Sequence, residues 1–307
     1  MPKMHIERSV DIAAPPNKVF STLNDYHTWR AWSPWLISEP AAKVDVDQDG
    51  KYYEWLGDRT GAGNMRIASE TPDQSLDMDL TFLKPWKSKA KTSFQIQETD
   101  TGSRVSWTMD SSLPFFLFWM KKQTEAYIGS DYDRGLAMLK DYVEDGEAHS
   151  QLEFAGTEDF PETKYIGIRR ASVQARFQKD MKSDFEKLMN WFKESGIEMA
   201  GPGASMYHKV DMVKGIMEYT ALFPVANALE RMPEGFHMAT IPAVKTYRLR
   251  HIGSYGHLGN AWSTLMMMER NKEFKKAKGV DGFEVYRTMP GQTPEHEHIT
   301  DLYYPIR

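Results

Sequence analysis

The chain of 307 residues contains no cysteine. Disulfides, thiolate nucleophiles, iron–sulfur clusters and cysteine-ligated zinc are therefore excluded. A surplus of basic charge is also missing: 38 Lys and Arg stand against 43 Asp and Glu, a net charge of −5. A weakly acidic chain lacks the electrostatic footprint of a nucleic-acid binder, so direct contact with nucleic acid is not expected. Long apolar runs are absent too. The longest, Leu113 to Met120 (LPFFLFWM), is far short of the ~20 residues that span a bilayer, which argues against stable membrane insertion. It reads as a short helix capping the first half; a mouth touching a membrane is the other reading. The opening MPKMHIERSVDI carries charges where a signal peptide needs an apolar stretch, and the expected location is the cytoplasm. No Gly-rich phosphate loop follows a strand, and nothing calls for a cofactor.

What is present fits two cores. The length is about twice that of a common domain, and 41% apolar with 26% charged residues is ordinary for globular chains. Polar and small residues interrupt clear periodicity at Asp145 to Asp159 (DGEAHSQLEFAGTED). This places a first domain at 1–145, a linker at 146–158 and a second domain at 159–307. In the first, Met4 to Asp11 alternates as a strand, Ala14-Pro15-Pro16 stops it, and Val19, Phe20, Leu23 and Tyr26 recur at helical spacing. Leu76, Met78, Leu80 and Phe82, then Phe94 and Ile96, then Val105, Trp107 and Met109 alternate in period two, predicting antiparallel strands. Ile128, Tyr132, Leu136, Leu139 and Val143 form one apolar stripe on a long closing helix. Six indoles, Trp29, Trp32, Trp35, Trp55, Trp86 and Trp107, either line a cavity beneath that helix or fill its core.

The second half repeats itself. Tyr165-Ile166-Gly167-Ile168-Arg169-Arg170 matches Thr246-Tyr247-Arg248-Leu249-Arg250-His251, and Leu222-Phe223-Pro224-Val225 matches Tyr303-Tyr304-Pro305-Ile306. The offset is 246 − 165 = 81 at the start and 305 − 224 = 81 at the end. Each copy, about 163–225 and 244–307, reads as strand, helix, strand, strand. A duplicated β-α-β-β unit of this kind is expected to pair about a pseudo-two-fold axis, with a groove where the copies meet.

Ile241-Pro242-Ala243-Val244-Lys245-Thr246-Tyr247, then Arg250-His251-Ile252-Gly253-Ser254-Tyr255 and Asp301-Leu302-Tyr303-Tyr304-Pro305-Ile306, resemble the GyrI-like family of effector-binding domains, over roughly residues 159 to 307. Regulators of that family carry a helix-turn-helix domain before this module; none is found here. Val10-Asp11-Ile12-Ala13-Ala14-Pro15, the helix entering Trp29-Arg30-Ala31-Trp32-Ser33-Pro34-Trp35, and Ile128-Gly129-Ser130-Asp131-Tyr132 to Gly135-Leu136-Ala137-Met138-Leu139-Lys140 resemble the SRPBCC superfamily of START-like, polyketide cyclase-like helix-grip domains, over roughly residues 4 to 145. The resemblance implies an α+β fold, an antiparallel sheet wrapped on a long C-terminal helix. It specifies a cavity rather than a reaction.

For the second domain, the strand Ile216 to Phe223 puts Glu218, Thr220 and Leu222 on one face, and the offset maps these to Ile299, Asp301 and Tyr303. Glu218 and Asp301 are thus candidate acids for one groove, with Tyr255, Trp262, Tyr286 and Tyr303 as lining; Trp191 is assigned to the core. The resemblance associates such an acid with cationic aromatic ligands, and in some members with hydrolysis of cyclopropane-containing compounds. A partly desolvated carboxylate attracts a lipophilic cation, or orients a water as general base. His296 and His298 flank Glu297 in metal-ligand style, but no third ligand accompanies them and no metal site is assigned. His237, His251 and His257 show no triad spacing.

The resulting expectation is a small-molecule binding protein for hydrophobic or cationic ligands, sensing or sequestering them without a DNA-binding domain of its own. The alternative is a hydrolase with Glu218 as its catalytic carboxylate. A protein partner is a third option.

Overall fold

The computed structural model of the protein describes residues 2–229, 231–289 and 291–307, which fall into two compact units. The first unit comprises Met1–Gln151 with Gly256–Met267, the second Leu152–Tyr255 with Met268–Arg307. Each has an antiparallel sheet with helices, an α+β architecture as expected.

In the first unit the strands are β1 (Lys3–Ile12), β2 (Lys43–Val46), β3 (Tyr52–Leu56), β4 (Ala62–Thr71), β5 (Ser75–Lys84), β6 (Ser88–Thr99) and β7 (Gly102–Ser112). They form one seven-stranded sheet in the order β1-β7-β6-β5-β4-β3-β2. Period-two alternation sets the faces: Leu76 and Met78 are buried while Asp77 and Asp79 between them are exposed. Helix α1 (Pro16–Leu23) starts with proline, whose missing N–H costs nothing in a first turn, and α2 (Trp29–Trp32) follows it. The long helix α3 (Lys121–Asp145) buries Tyr132, Leu136, Leu139 and Val143, and stops at Gly146, whose φ of 90° suits a residue without a Cβ.

The indoles fill the core. Trp29, Trp32 and Trp107 are buried and pack edge-on against one another, and the Trp107 ring stacks on Tyr132 of α3 at 3.8 Å between centroids. The Trp107 Nε1–H donates to Thr92 Oγ1 at 2.8 Å, so this buried polar edge is satisfied. Trp86 is different: it stands exposed in the β5–β6 turn. The run Leu113 to Met120 does turn into a short helical segment, Phe115–Met120, but it buries none of its residues and so does not cap the core.

Gly256–Met267 contributes most of helix α5 (Leu258–Arg270) to this unit through polar contacts. Arg134 of α3 donates to Asn260 Oδ1 at 2.8 Å and to Ser263 Oγ at 3.1 Å, His257 pairs with Asp141 at 2.6 Å, and the Thr264 hydroxyl reaches Ser38 at 2.7 Å.

The second unit is built on β8 (Ser150–Phe160), β9 (Thr163–Val173), β10 (Ala204–Asp211), β11 (Ile216–Pro224), β12 (His237–Ile241), β13 (Val244–Gly253), β14 (Gly282–Tyr286) and β15 (Ile299–Pro305). The sheet order is β12-β9-β11-β10-β14-β15-β13-β8. Most of the stretch read as a linker, 146–158, is therefore strand: β8 pairs beside β13 and turns Leu152, Phe154 and Phe160 to its less exposed side. From Thr163 the elements run β9, helix α4 (Phe177–Ser195), β10, β11; from Val244 they run β13, α5, β14, β15. Strands β10 and β14 meet at the middle of the sheet with Ala204 opposite Val285 and Ser205 opposite Glu284.

The two faces of this sheet differ. Ala204, Met206, Leu222, Phe283, Val285 and Tyr303 make an apolar cluster on one, while Ile166, Ile168, Tyr219, Ala221 and Phe223 pack with Leu188 and Phe192 of α4 on the other. Among the described residues, no helix is long and apolar enough to cross a membrane.

Candidate functional site

The short strand β14 reads Gly282-Phe283-Glu284-Val285-Tyr286. Alternation sends Phe283 and Val285 into the apolar cluster, leaving Glu284 and Tyr286 on the face that carries α4. Glu284 is 1% exposed, at the centre of the sheet. Its Oε2 accepts hydrogen bonds from the hydroxyls of Tyr207 at 3.0 Å and Tyr286 at 2.9 Å. Ser205 Oγ lies 2.9 Å from the same Tyr286 hydroxyl. A buried carboxylate is costly unless strong donors replace water, and two phenols supply them here.

Aromatic rings surround this acid. Phe185 meets Tyr286 edge-on at 5.7 Å, Tyr255 meets Tyr286 at 5.3 Å and His298 at 4.7 Å, and Phe177 approaches Tyr207 at 6.2 Å. Phe177, Phe185, Tyr207, Tyr255 and Tyr286 are all only partly buried, so part of each remains accessible. Burial first, and then the charge of Glu284, push the Tyr207 and Tyr286 hydroxyls well above their ordinary pKa. The same two causes push Tyr255 up to about 12. All three phenols remain protonated, and thus donors, at neutral pH. The arrangement is a buried carboxyl group hydrogen-bonded by two phenols and set among aromatic rings that stay partly exposed.

The acids singled out in the sequence lie elsewhere. Glu218 of β11 shares the apolar-cluster face with Leu222, and its Oε1 is held by Arg169 at 2.6 Å. Asp301 is the cross-strand partner of Val285 and so lies on that face too, separated from β11 by β14 and β10. It is 1% exposed and gripped by Arg250 Nε at 2.7 Å and Arg287 Nε at 2.7 Å, with Arg248 at 3.6 Å. Burial works to raise its pKa, but Arg250 and Arg287 outweigh it and hold the carboxyl below the ordinary carboxylate value. Tyr303 stacks on Phe283 at 5.1 Å and accepts from Arg287 at 2.7 Å. A cavity of about 180 Å³ opens on this face between Phe160, Ala204, Leu222, Ile241, Phe283 and Val285. That is below the ~300 Å³ at which drug-sized ligand pockets begin. Of the lining candidates, Tyr255 and Tyr286 stand at Glu284, Tyr303 stands with Asp301, and Trp262 is a half-buried residue of α5 in the first unit. Trp191 packs on Phe192 and Phe236.

Sequence reasoning passed over two groups. Glu284 was signalled by an acid between aromatics in a five-residue strand. His208 sits at a register shift between Tyr207 and Lys209 in β10, which turns it to bridge Asp281 Oδ2 and Thr220 Oγ1, each at 2.8 Å. The order acid, imidazole, hydroxyl resembles a catalytic triad, but Thr220 is fully buried and cannot meet a substrate, so the bridge is a structural tie. His298 is buried against Tyr255, with Nε2 3.1 Å from the Thr293 carbonyl, whereas His296 is exposed. No group of three or more metal-ligating side chains occurs among the described residues.

Comparison with known proteins follows the same division. The family model for polyketide cyclase / dehydrase and lipid transport matches residues 3–144, and that for the GyrI-like small molecule binding domain matches residues 157–307. No curated protein matches the chain. Among solved structures, a cryo-EM structure of an EcmrR–DNA complex is 16% identical and covers 61% of this chain and 68% of its own, with a TM-score of 0.45. SAV2435 bound to tetraphenylphosphonium is 12% identical, covering 50% of this chain and 94% of its own, at 0.39. The Aha1 dimer from Colwellia psychrerythraea is 18% identical, covering 47% and 98%, at 0.36. On the two family models, the chain is a fusion of an SRPBCC domain of the polyketide cyclase and lipid transport family with a GyrI-like small molecule binding domain.

Proposed function

We propose that the GyrI-like domain binds amphipathic aromatic cations and that the protein senses or sequesters them, with Glu284 as the charge-selecting group. The observation that carries this reading is the buried Glu284 carboxylate, held by the Tyr207 and Tyr286 hydroxyls inside a rim of partly exposed aromatic rings. The carboxylate supplies attraction, and ring faces add ~0.5 to 2 kcal/mol for a desolvated cation. We place the ligand on the α4 face, against Tyr255 and Tyr286. Glu218 and Asp301, each neutralised by arginine, serve the sheet.

A duplicated β-α-β-β unit with pseudo-two-fold symmetry accounts for the frame. Its support is the strand order, in which β9-β11-β10 is answered by β13-β15-β14 from the other edge. Ala204 also pairs with Val285, its own counterpart at the 81-residue offset, so the axis runs between them. At that axis Glu284 has Gly203 as its counterpart, which makes the site one-sided.

Calorimetric titration with tetraphenylphosphonium and with neutral triphenylphosphine oxide tests this. The cation is expected to bind at least about tenfold more tightly, ~1.4 kcal/mol, with the preference lost in Glu284→Gln and kept in Glu218→Gln. Equal binding of both compounds, or an unchanged preference in Glu284→Gln, overturns it. Recovery of a ring-opened, water-added product from a cyclopropane-containing electrophile would favour a hydrolase instead.

A further inference from the structure

We propose that the first domain docks peripherally on anionic lipid surfaces through one end of its sheet. Two segments make that end. The β5–β6 turn carries Leu83-Lys84-Pro85-Trp86-Lys87, and the segment after β7 carries Phe115-Phe116-Leu117-Phe118-Trp119. They sit together because the register pairs Phe82 with Ser88 across the turn and Lys91 with Asp110 on β7, and Ser111 Oγ donates to the Lys89 carbonyl at 3.3 Å. The last residues of β7 therefore run beside the turn.

The apolar side chains here face outward. Phe115 is 76% exposed, Phe116 68%, Trp86 and Trp119 66% each, and Phe118 64%. Leu83 and Tyr127 are exposed as well. Exposed large rings gathered at one end of a domain mark a protein or membrane interaction site.

Charge identifies the occupant. Residues 83–91 hold Lys84, Lys87, Lys89 and Lys91 and no acid, and residues 113–122 close with Lys121 and Lys122, again with no acid. The nearest acids along the chain are Asp110, which stands opposite Lys91 across β6 and β7, and Glu125, which is paired to Lys121 at 3.6 Å, leaving Lys84, Lys87, Lys89 and Lys122 to carry the fringe. This local basic fringe stands in a chain whose net charge is −5. Protein interfaces are depleted in lysine, whereas tryptophan and phenylalanine fringed by lysine are the side chains that sit at the boundary of headgroups and acyl chains. Each lysine near an anionic surface strengthens binding about fivefold. The rings would enter the interface while the lysines meet lipid phosphates, and no part of the chain would cross.

Flotation of the full-length protein with vesicles of phosphatidylcholine alone, or with 30% phosphatidylglycerol, tests this. Partitioning is expected to be at least tenfold greater on the anionic vesicles and to fall in 0.5 M salt. Phe116→Ser with Trp119→Ser, and separately Lys84→Glu with Lys87→Glu, should each reduce it at least tenfold while thermal melting stays unchanged, since these side chains are exposed. Equal recovery with both vesicle types, or wild-type flotation by both variants, overturns the proposal. So does self-association by the same patch in sedimentation without vesicle binding.

Discussion

The Tyr286 hydroxyl lies 2.9 Å from the carboxylate of Glu284, two residues earlier on the same strand and on the same face. Tyr286→Phe removes one of the phenol donors and keeps the ring. Chemical denaturation should show a loss of about 1.5 to 3 kcal/mol, the worth of one hydrogen bond to a charged group. Cation binding should weaken by less than in Glu284→Gln, because the negative group stays.

Asp301 should behave as a stabilising acid. Its pKa is lowered in the folded protein, so its contribution is fully present above the ordinary value of 3.8 and is lost as pH falls through the lower folded value. Asp301→Asn removes the counter-charge shared by the part-exposed Arg250 and Arg287 and should cost about 1.5 to 3 kcal/mol at pH 7. In melts taken from pH 7 downward, the gap between variant and wild type should close only below pH ~4.

In the first domain, Thr92→Val strands the Trp107 indole N–H, which is otherwise satisfied by Thr92 Oγ1. Urea titration should register a loss of about 1 to 3 kcal/mol. Trp107→Ala, which also removes the stack on Tyr132, should cost about 3 to 5 kcal/mol.

Arg134 is 9% exposed and donates to Asp131, Asn260, Ser263 and the Pro34 carbonyl. Arg134→Leu takes this donor from the buried Asn260 and from the Pro34 carbonyl, while Asp131 keeps the Trp35 indole N–H. Its denaturation midpoint should fall by more than that of Arg104→Leu, which breaks only an exposed pair with Asp11.

Much of this frame was readable from periodicity, because alternation and helical stripes act within one element. The strands around Leu76, Phe94 and Trp107 and the stripe from Tyr132 to Val143 stand where spacing put them. Strand β8 escaped because Gly156 and Ala155 dilute its apolar positions and acids follow at Glu158 and Asp159. The acid at the site escaped for a different reason. Spacing tells which residues of one strand share a face, but which face meets α4 is set by pairing between strands distant in sequence. Glu218 and Asp301 lie on the apolar-cluster face, whereas Glu284, opposite Ser205, lies on the α4 face to which we assign the ligand.

Strand β8 also dictates where the halves can be separated. A protein begun at residue 159 would lose β8 and leave the backbone of β13 bare along one side, a template for pairing with other copies. Begun at residue 148, it keeps that edge sealed. Fragments begun at residue 159 should therefore precipitate more readily than those begun at residue 148.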